Sequence, residues 1–172
     1  SYDEDGKRIA YDLCIANQAL NYLANMNGLN YDKDGTLARN GEVDMDLLKK
    51  LNRHPFYGQL PPKSLGREFF EANQIDVLKD LSVEDMLATF VEHIALQIAL
   101  PISFLPKGKI LCTGGGARNK FLIERLQART KHEVVVPENQ IIDYKEALVF
   151  ALLGMLRLEG KTNVLASVTG AE

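Results

Sequence analysis

The run Thr113-Gly114-Gly115-Gly116-Ala117-Arg118-Asn119 carries the strongest chemical signal in this 172-residue chain. It joins a short apolar run, Lys109 to Cys112, to a helical pattern spanning Asn119 to Thr130. Consecutive glycines at such a junction let the backbone approach a ligand closely and turn its amides outward, beside a helix amino end that favours anionic groups; a nucleotide would fit. The competing reading is a tight turn needing positive φ at one or two glycines. No lysine-serine pair and no spaced third glycine follow, so the run is neither a Walker A loop nor a dinucleotide fingerprint. Asp12 follows the strand-like Arg8-Ile9-Ala10-Tyr11, which would set its carboxylate at a strand end, where open α/β sheets gather ligands. It is a candidate general base, or else the amino-terminal cap of the helix that follows. Asn17 could hydrogen-bond a substrate or merely occupy a first turn. Glu146 opens an otherwise apolar helix and could hold substrate hydroxyls, although a carboxylate at a helix amino end gains ~0.3–1 kcal/mol with no ligand at all. Lys63 and Arg67, in PPKSLGREFF, make a basic pair able to hold a phosphate or to sit solvated. His54, His93 and His132 follow no metal-ligand spacing and read as structural. No nucleophile elbow, metal-ligand cluster or aromatic stacking motif accompanies them.

The elements that must position these groups alternate between strand and helix. Ser1 and Tyr2 lead into the turn-like Asp3-Glu4-Asp5-Gly6-Lys7 and a strand over Arg8 to Tyr11, as if a hairpin lacked its first strand, so the chain is expected to be a piece of something longer. Ile15 to Asn27 reads as a helix with Ala16, Leu20, Leu23 and Ala24 on one face, ended by Gly28. Residues 31–81 read as a connecting excursion, with short helices over Asp44 to Leu51 and Ser64 to Asn73. Ser82, with Asp85 three residues on, caps a long amphipathic helix that carries Met86, Leu87, Phe90, Val91, Ile94, Ala95 and Ile98 and runs to Pro101. Strands over Lys109 to Cys112 and Glu133 to Val136 flank the glycine run and its helix. Asp143 is expected to cap a last apolar helix, Tyr144 to Leu158, ended by Gly160. Strands alternating with helices imply an α/β layered fold.

Composition bounds what such a site can serve. The chain is 46% hydrophobic, enough for one core, and its formal net charge of -3 with 25% charged residues offers no patch for nucleic acid. Cys14 and Cys112 lie far apart in apolar surroundings, with neither a disulfide framework nor zinc spacing, as suits a reducing compartment. The longest apolar run, near Ala147 to Leu156, is too short to span a bilayer, so neither membrane nor secretion is expected.

Five stretches, in order, resemble anhydro-N-acetylmuramic acid kinases: YDLCIANQALNYLA, YDKDGTLARNGEV, PPKSLGREFF, TGGGARNKFLIERL, and KEALVFALLGMLRLEG followed by NVLASVTGA. The resemblance implies an RNase H-like domain of the actin, Hsp70 and sugar-kinase superfold, the second of two that close around ATP and sugar. The amino-terminal domain, with its GTSxDG phosphate loop, has no counterpart here and would be the missing partner half. The implied reaction opens the 1,6-anhydro ring and phosphorylates O6, giving N-acetylmuramic acid 6-phosphate in cytoplasmic peptidoglycan recycling. On the same basis Asp12 is the catalytic base and Asn17 and Glu146 bind the sugar. Thr113, Gly114, Gly115, Gly116 and Asn119 border ATP, and magnesium bridges the phosphates. A homodimer stays open. The chain departs from the family at Leu13, Cys14 and Ile15, where threonine, glycine and proline are usual, which bears on the positioning of Asp12. The alternative is a nucleotide-binding module of the same superfold that performs no chemistry.

Overall fold

The computed structural model describes residues 8–78, 81–165 and 168, and of Arg67 only the backbone. The turn expected over residues 3–7 and most of the closing SVTGA lie outside these residues.

The spine is the capped helix expected after Ser82. Ser82 Oγ accepts the Asp85 amide at 3.1 Å and starts helix α5, Val83–Ile102. The Asp85 carboxylate accepts the Glu42 amide at 2.7 Å, and this bond first, with the Ser82 hydroxyl second, holds it below the usual carboxylate range. Around α5 pack α1 (Asn17–Met26), α2 (Thr36–Asn40), α3 (Met45–Asn52) and α4 (Arg67–Asn73). Each delivers apolar side chains at helical spacing: Ala19, Leu20 and Leu23 from α1, Ala38 from α2, Leu47 and Leu51 from α3, and Phe70 from α4, all onto Leu87, Phe90, Val91 and Ile94. The segment between residues 31 and 78 thus supplies one whole side of the core. By length and hydropathy α5 could cross a membrane, yet it is mostly buried, as a core helix is.

Polar groups enter this core mostly in hydrogen-bonded sets, although the buried Gln74 Oε1 has no partner among the described residues. His93, fully buried, places Nδ1 2.8 Å from Asn52 Oδ1 and Nε2 3.0 Å from the Tyr57 hydroxyl, while Gln97 and Gln74 donate to Asn52 Oδ1 and the Tyr57 oxygen. Because Asn52 Oδ1 can only accept, Nδ1 carries the ring proton and Nε2 accepts from Tyr57. His132 is buried too, accepting the Gly108 amide at Nδ1 and meeting Ile102 O at Nε2. The three histidines are thus built into the fold, His54 through the Phe56 amide and Asn73.

On the other flank, α5 is clasped to α6 (Lys120–Arg129) by Glu92, which is 2% exposed and faces both Arg125 Nε at 2.8 Å and Arg129 Nη2. Arg129 pairs in charge with Oε1 at an angle that makes no proper hydrogen bond. Arg129→Ala leaves Arg125 to neutralise the buried carboxylate, so a loss of about 1–2 kcal/mol is expected. Urea denaturation of the two proteins measures it; coincident midpoints would mean that Arg129 is merely solvated.

Helix α6 crosses between two parallel strands, β1 (Lys109–Leu111) and β2 (Glu133–Val135), in the register Lys109↔Glu133, Ile110↔Val134 and Leu111↔Val135. The chain is therefore α/β. The strand expected over Arg8 to Tyr11 is not formed: Arg8 makes a single bridge, residues 9–16 continue without regular secondary structure, and the sheet among the described residues holds only β1 and β2. Helix α7 spans Asn139–Leu158, so Asp143 lies inside it rather than at its cap. Pro137 and Glu138 end the extended segment after β2, and the helix begins directly beyond them. Its only buried residue is Ile142, while Leu148 and Leu158 are 70% and 90% exposed, and Leu111 on β1 is exposed as well.

Candidate active site

The glycine bend is built by β1 below it and α6 after it. Gly114 has φ 78° and ψ -179°, a region open only to glycine, so the turn reading holds at that residue. Gly115 and Gly116 are crowded by a neighbouring side chain. A Cβ on them would stand 3.0 Å from Asn17 Nδ2 and 3.1 Å from Asn17 Oδ1, so the Asn17 carboxamide lies directly over the bend. Asn119 ends the bend as the cap of α6, its Oδ1 accepting the Leu122 amide at 3.0 Å.

Behind Asn119 stands a support that the sequence did not reveal as part of the site. Asp32, buried, accepts the amides of Leu37 and Ala38 at 2.9 and 3.0 Å and starts α2. The turn it closes presses Gly35 against the bend: at φ 72°, a Cβ there would meet Asn119 Oδ1 at 2.3 Å and Phe121 Cβ at 2.5 Å. Asp34 pairs with Lys120 at 3.4 Å. The YDKDG residues thus hold the glycine bend from below, and only their packing, not their types, discloses it.

Two clefts open at the bend. One of about 250 Å3 is lined by Asn17, Asn21, Asp32, Gly115, Arg118 and Asn119. The other, about 660 Å3, brings Gly114 and Gly115 together with Asp143, Lys145 and Glu146 of α7. Glu146 lies two turns into α7, beyond the first turn where a helix dipole acts, so the helix-end account of its charge does not hold. Asp143 is taken up by Arg118, and Lys145 Nζ donates to Thr113 Oγ1 at 2.5 Å. Asn17 and Glu146 therefore stand on different clefts that share Gly115.

Asp12 lines neither cleft. It does not cap α1, whose cap residue Ala16 makes no side-chain bond; its Oδ2 accepts the Leu65 amide at 2.8 Å and its own amide donates to Lys63 O at 3.1 Å. Its Oδ1 has no protein partner among the described residues, so one carboxylate oxygen is anchored and the other open. Asn17 lies five positions further along the chain, so the two Cα atoms are within roughly 18 Å of each other. Two residues further on, burial pushes the Cys14 thiol up to about 12, leaving it protonated and inert. Lys63 does not offer a free cation: its Nζ donates to Phe56 O at 3.1 Å and lies 4.6 Å from the centre of the Phe56 ring.

Fold and site together define an α/β domain with a glycine bend after a parallel strand and a carboxylate, Glu146, in the same cleft. The chain belongs to the anhydro-N-acetylmuramic acid kinase family, whose model matches residues 3–172. It is 35% identical to the anhydro-N-acetylmuramic acid kinase of Mannheimia succiniciproducens over 99% of its length and 50% of that protein's. It is 34% identical to that of Aliivibrio fischeri over 98% of its length and 48% of that protein's, and 40% identical to that of Pseudomonas syringae pv. tomato over 83% and 42%. The chain spans about half the length of the curated relatives it matches. The family is one of sugar kinases with the actin and Hsp70-like fold, and kinase chemistry implies ATP.

Proposed function

We propose that this chain forms one wall of an ATP-dependent kinase that opens the 1,6-anhydro ring of anhydro-N-acetylmuramic acid and phosphorylates O6, in cytoplasmic recycling of peptidoglycan. The observation that carries this reading is the cleft shared by Gly114, Gly115 and Glu146 in a chain of this family. Thr113 to Gly116 would border the nucleotide, and Asn119 would keep the bend in shape from its buried position. Glu146 would hold sugar hydroxyls, and Asn17 would reach the sugar where it abuts the phosphates. The open Oδ1 of Asp12 would take a proton from the water that attacks C1. As the C1–O6 bond breaks, O6 attacks the γ-phosphorus, and the bond from that phosphorus to the β-bridging oxygen breaks to release ADP.

Among the described residues no three of His, Cys, Asp or Glu converge to hold a cation, and magnesium would travel with the phosphates and their water. The exposed apolar face of α7 and the uncovered Leu111 on β1 favour a second half of the same protein, of the kind its relatives' greater length provides, as the cover for this domain. This domain would be the second of two in an RNase H-like pair. Phosphoryl transfer needs both walls, so the chain alone is expected to be silent and product to form once the complementary half is supplied. Mass spectrometry of a reaction with ATP and anhydro-sugar decides this. N-acetylmuramic acid 6-phosphate made by the chain alone, or by neither arrangement, would count against the reading.

A further inference from the structure

Three basic side chains surround the glycine bend, and two are already neutralised: Arg118 by Asp143 and Lys120 by Asp34. Lys145 is not. Its one polar contact among the described residues is to the neutral hydroxyl of Thr113, at 2.5 Å, and no carboxylate there lies within ion-pair distance of it. An exposed lysine is normally a mobile, solvated charge. This one is tied by Thr113 to the residue that opens the bend, in the cleft lined by Gly114 and Gly115. Of the three ammonium protons one is spent on Thr113, and two remain for an acceptor in the cleft.

We propose that Lys145 is a phosphate-binding residue of the nucleotide site, held by the Thr113 hydroxyl so that its ammonium meets the triphosphate as it passes Gly114 and Gly115. This rests on the nucleotide reading of the bend. No existing ion pair has to break for the contact to form, so its charge is available in full to the incoming polyanion. Thr113 then acts as a positioning residue that narrows the lysine's rotamers before the ligand arrives.

Isothermal titration with ATP and with adenosine separates a phosphate contact from a general effect on the site. Lys145→Ala is expected to weaken ATP roughly tenfold or more and to leave adenosine unchanged, with a shallower dependence of ATP affinity on salt. Lys145→Arg should stay within about threefold of the unsubstituted protein, and Thr113→Val should shift ATP in the same direction by less. Gly115→Val, which drives a side chain into Asn17, serves as the control for the bend itself. If Gly115→Val abolishes ATP binding while Lys145→Ala does nothing, the lysine contact is wrong and the nucleotide bend stands. Equal losses for ATP and adenosine in Lys145→Ala also overturn the contact. Should the unsubstituted protein, supplied with its complementary half, bind neither ligand, both readings fall.

Discussion

Asp12→Asn is expected to lower turnover of anhydro-sugar and ATP by more than about a hundredfold, close to 3 kcal/mol of barrier, once both walls of the cleft are present. The substitution is close to isosteric, and the asparagine oxygen can still accept the Leu65 amide that Asp12 Oδ2 accepts at 2.8 Å. The backbone bond from residue 12 to Lys63 O is untouched. Stability should therefore change little, and the lost rate would report proton acceptance rather than folding. Steady-state kinetics of the two proteins, with thermal unfolding beside them, make the measurement. A loss of only a few-fold with an unchanged melting temperature would remove Asp12 from the role of base and favour a site that binds nucleotide without this chemistry.

The second large effect lies in the core, at His93. Burial drives its pKa down from 6.5 to about 4. The neutral ring is fully used: Nδ1 donates to Asn52 and Nε2 accepts from Tyr57. A second ring proton would face a hydroxyl that already accepts from Gln74 and would then have to turn its own proton elsewhere. Between pH 6.5 and 4 the unfolded chain binds a proton at this position that the folded chain refuses, so unfolding is favoured as pH falls through that window. Stability from this source is complete above the unfolded value and declines by on the order of 3 kcal/mol by pH 4. Urea denaturation across that range should show the slope in the native protein and a flatter one in His93→Gln, the difference cancelling the carboxylates that titrate in both. Parallel slopes would assign the acid sensitivity to other groups.

Much of this site was legible because its signals are local. Ser82 and the apolar spacing from Met86 to Ile98 predict α5 with its cap, since capping and periodicity act within a few residues of one another. The strand, glycine and helix succession around Gly114 likewise needs only neighbouring residues, and so does α1 with its Gly28 stop. The start of α7 was misplaced by five residues because Asp143 is a good cap by type, whereas the helix begins just after Pro137 and Glu138 and Asp143 is turned to Arg118. The first strand failed because β-propensity depends on context: Arg8 makes only a single bridge, and the sheet among the described residues holds only β1 and β2.

By its own residue types and spacing the chain determined most of its helices, though not α2 within the polar run after Tyr31, together with the bend at Gly114 to Gly116, the α/β alternation and, through five ordered stretches, its family. Only the tertiary structure decided which groups those elements bring together. Asp12 bonds to Leu65, 53 positions away, Lys145 to Thr113 across 32, and Gly35 is pressed on Asn119 through the turn closed by Asp32. The physical reason is range: torsional preference and periodicity act over a turn or two of chain, while a side chain's partner is chosen by how the packed elements face one another.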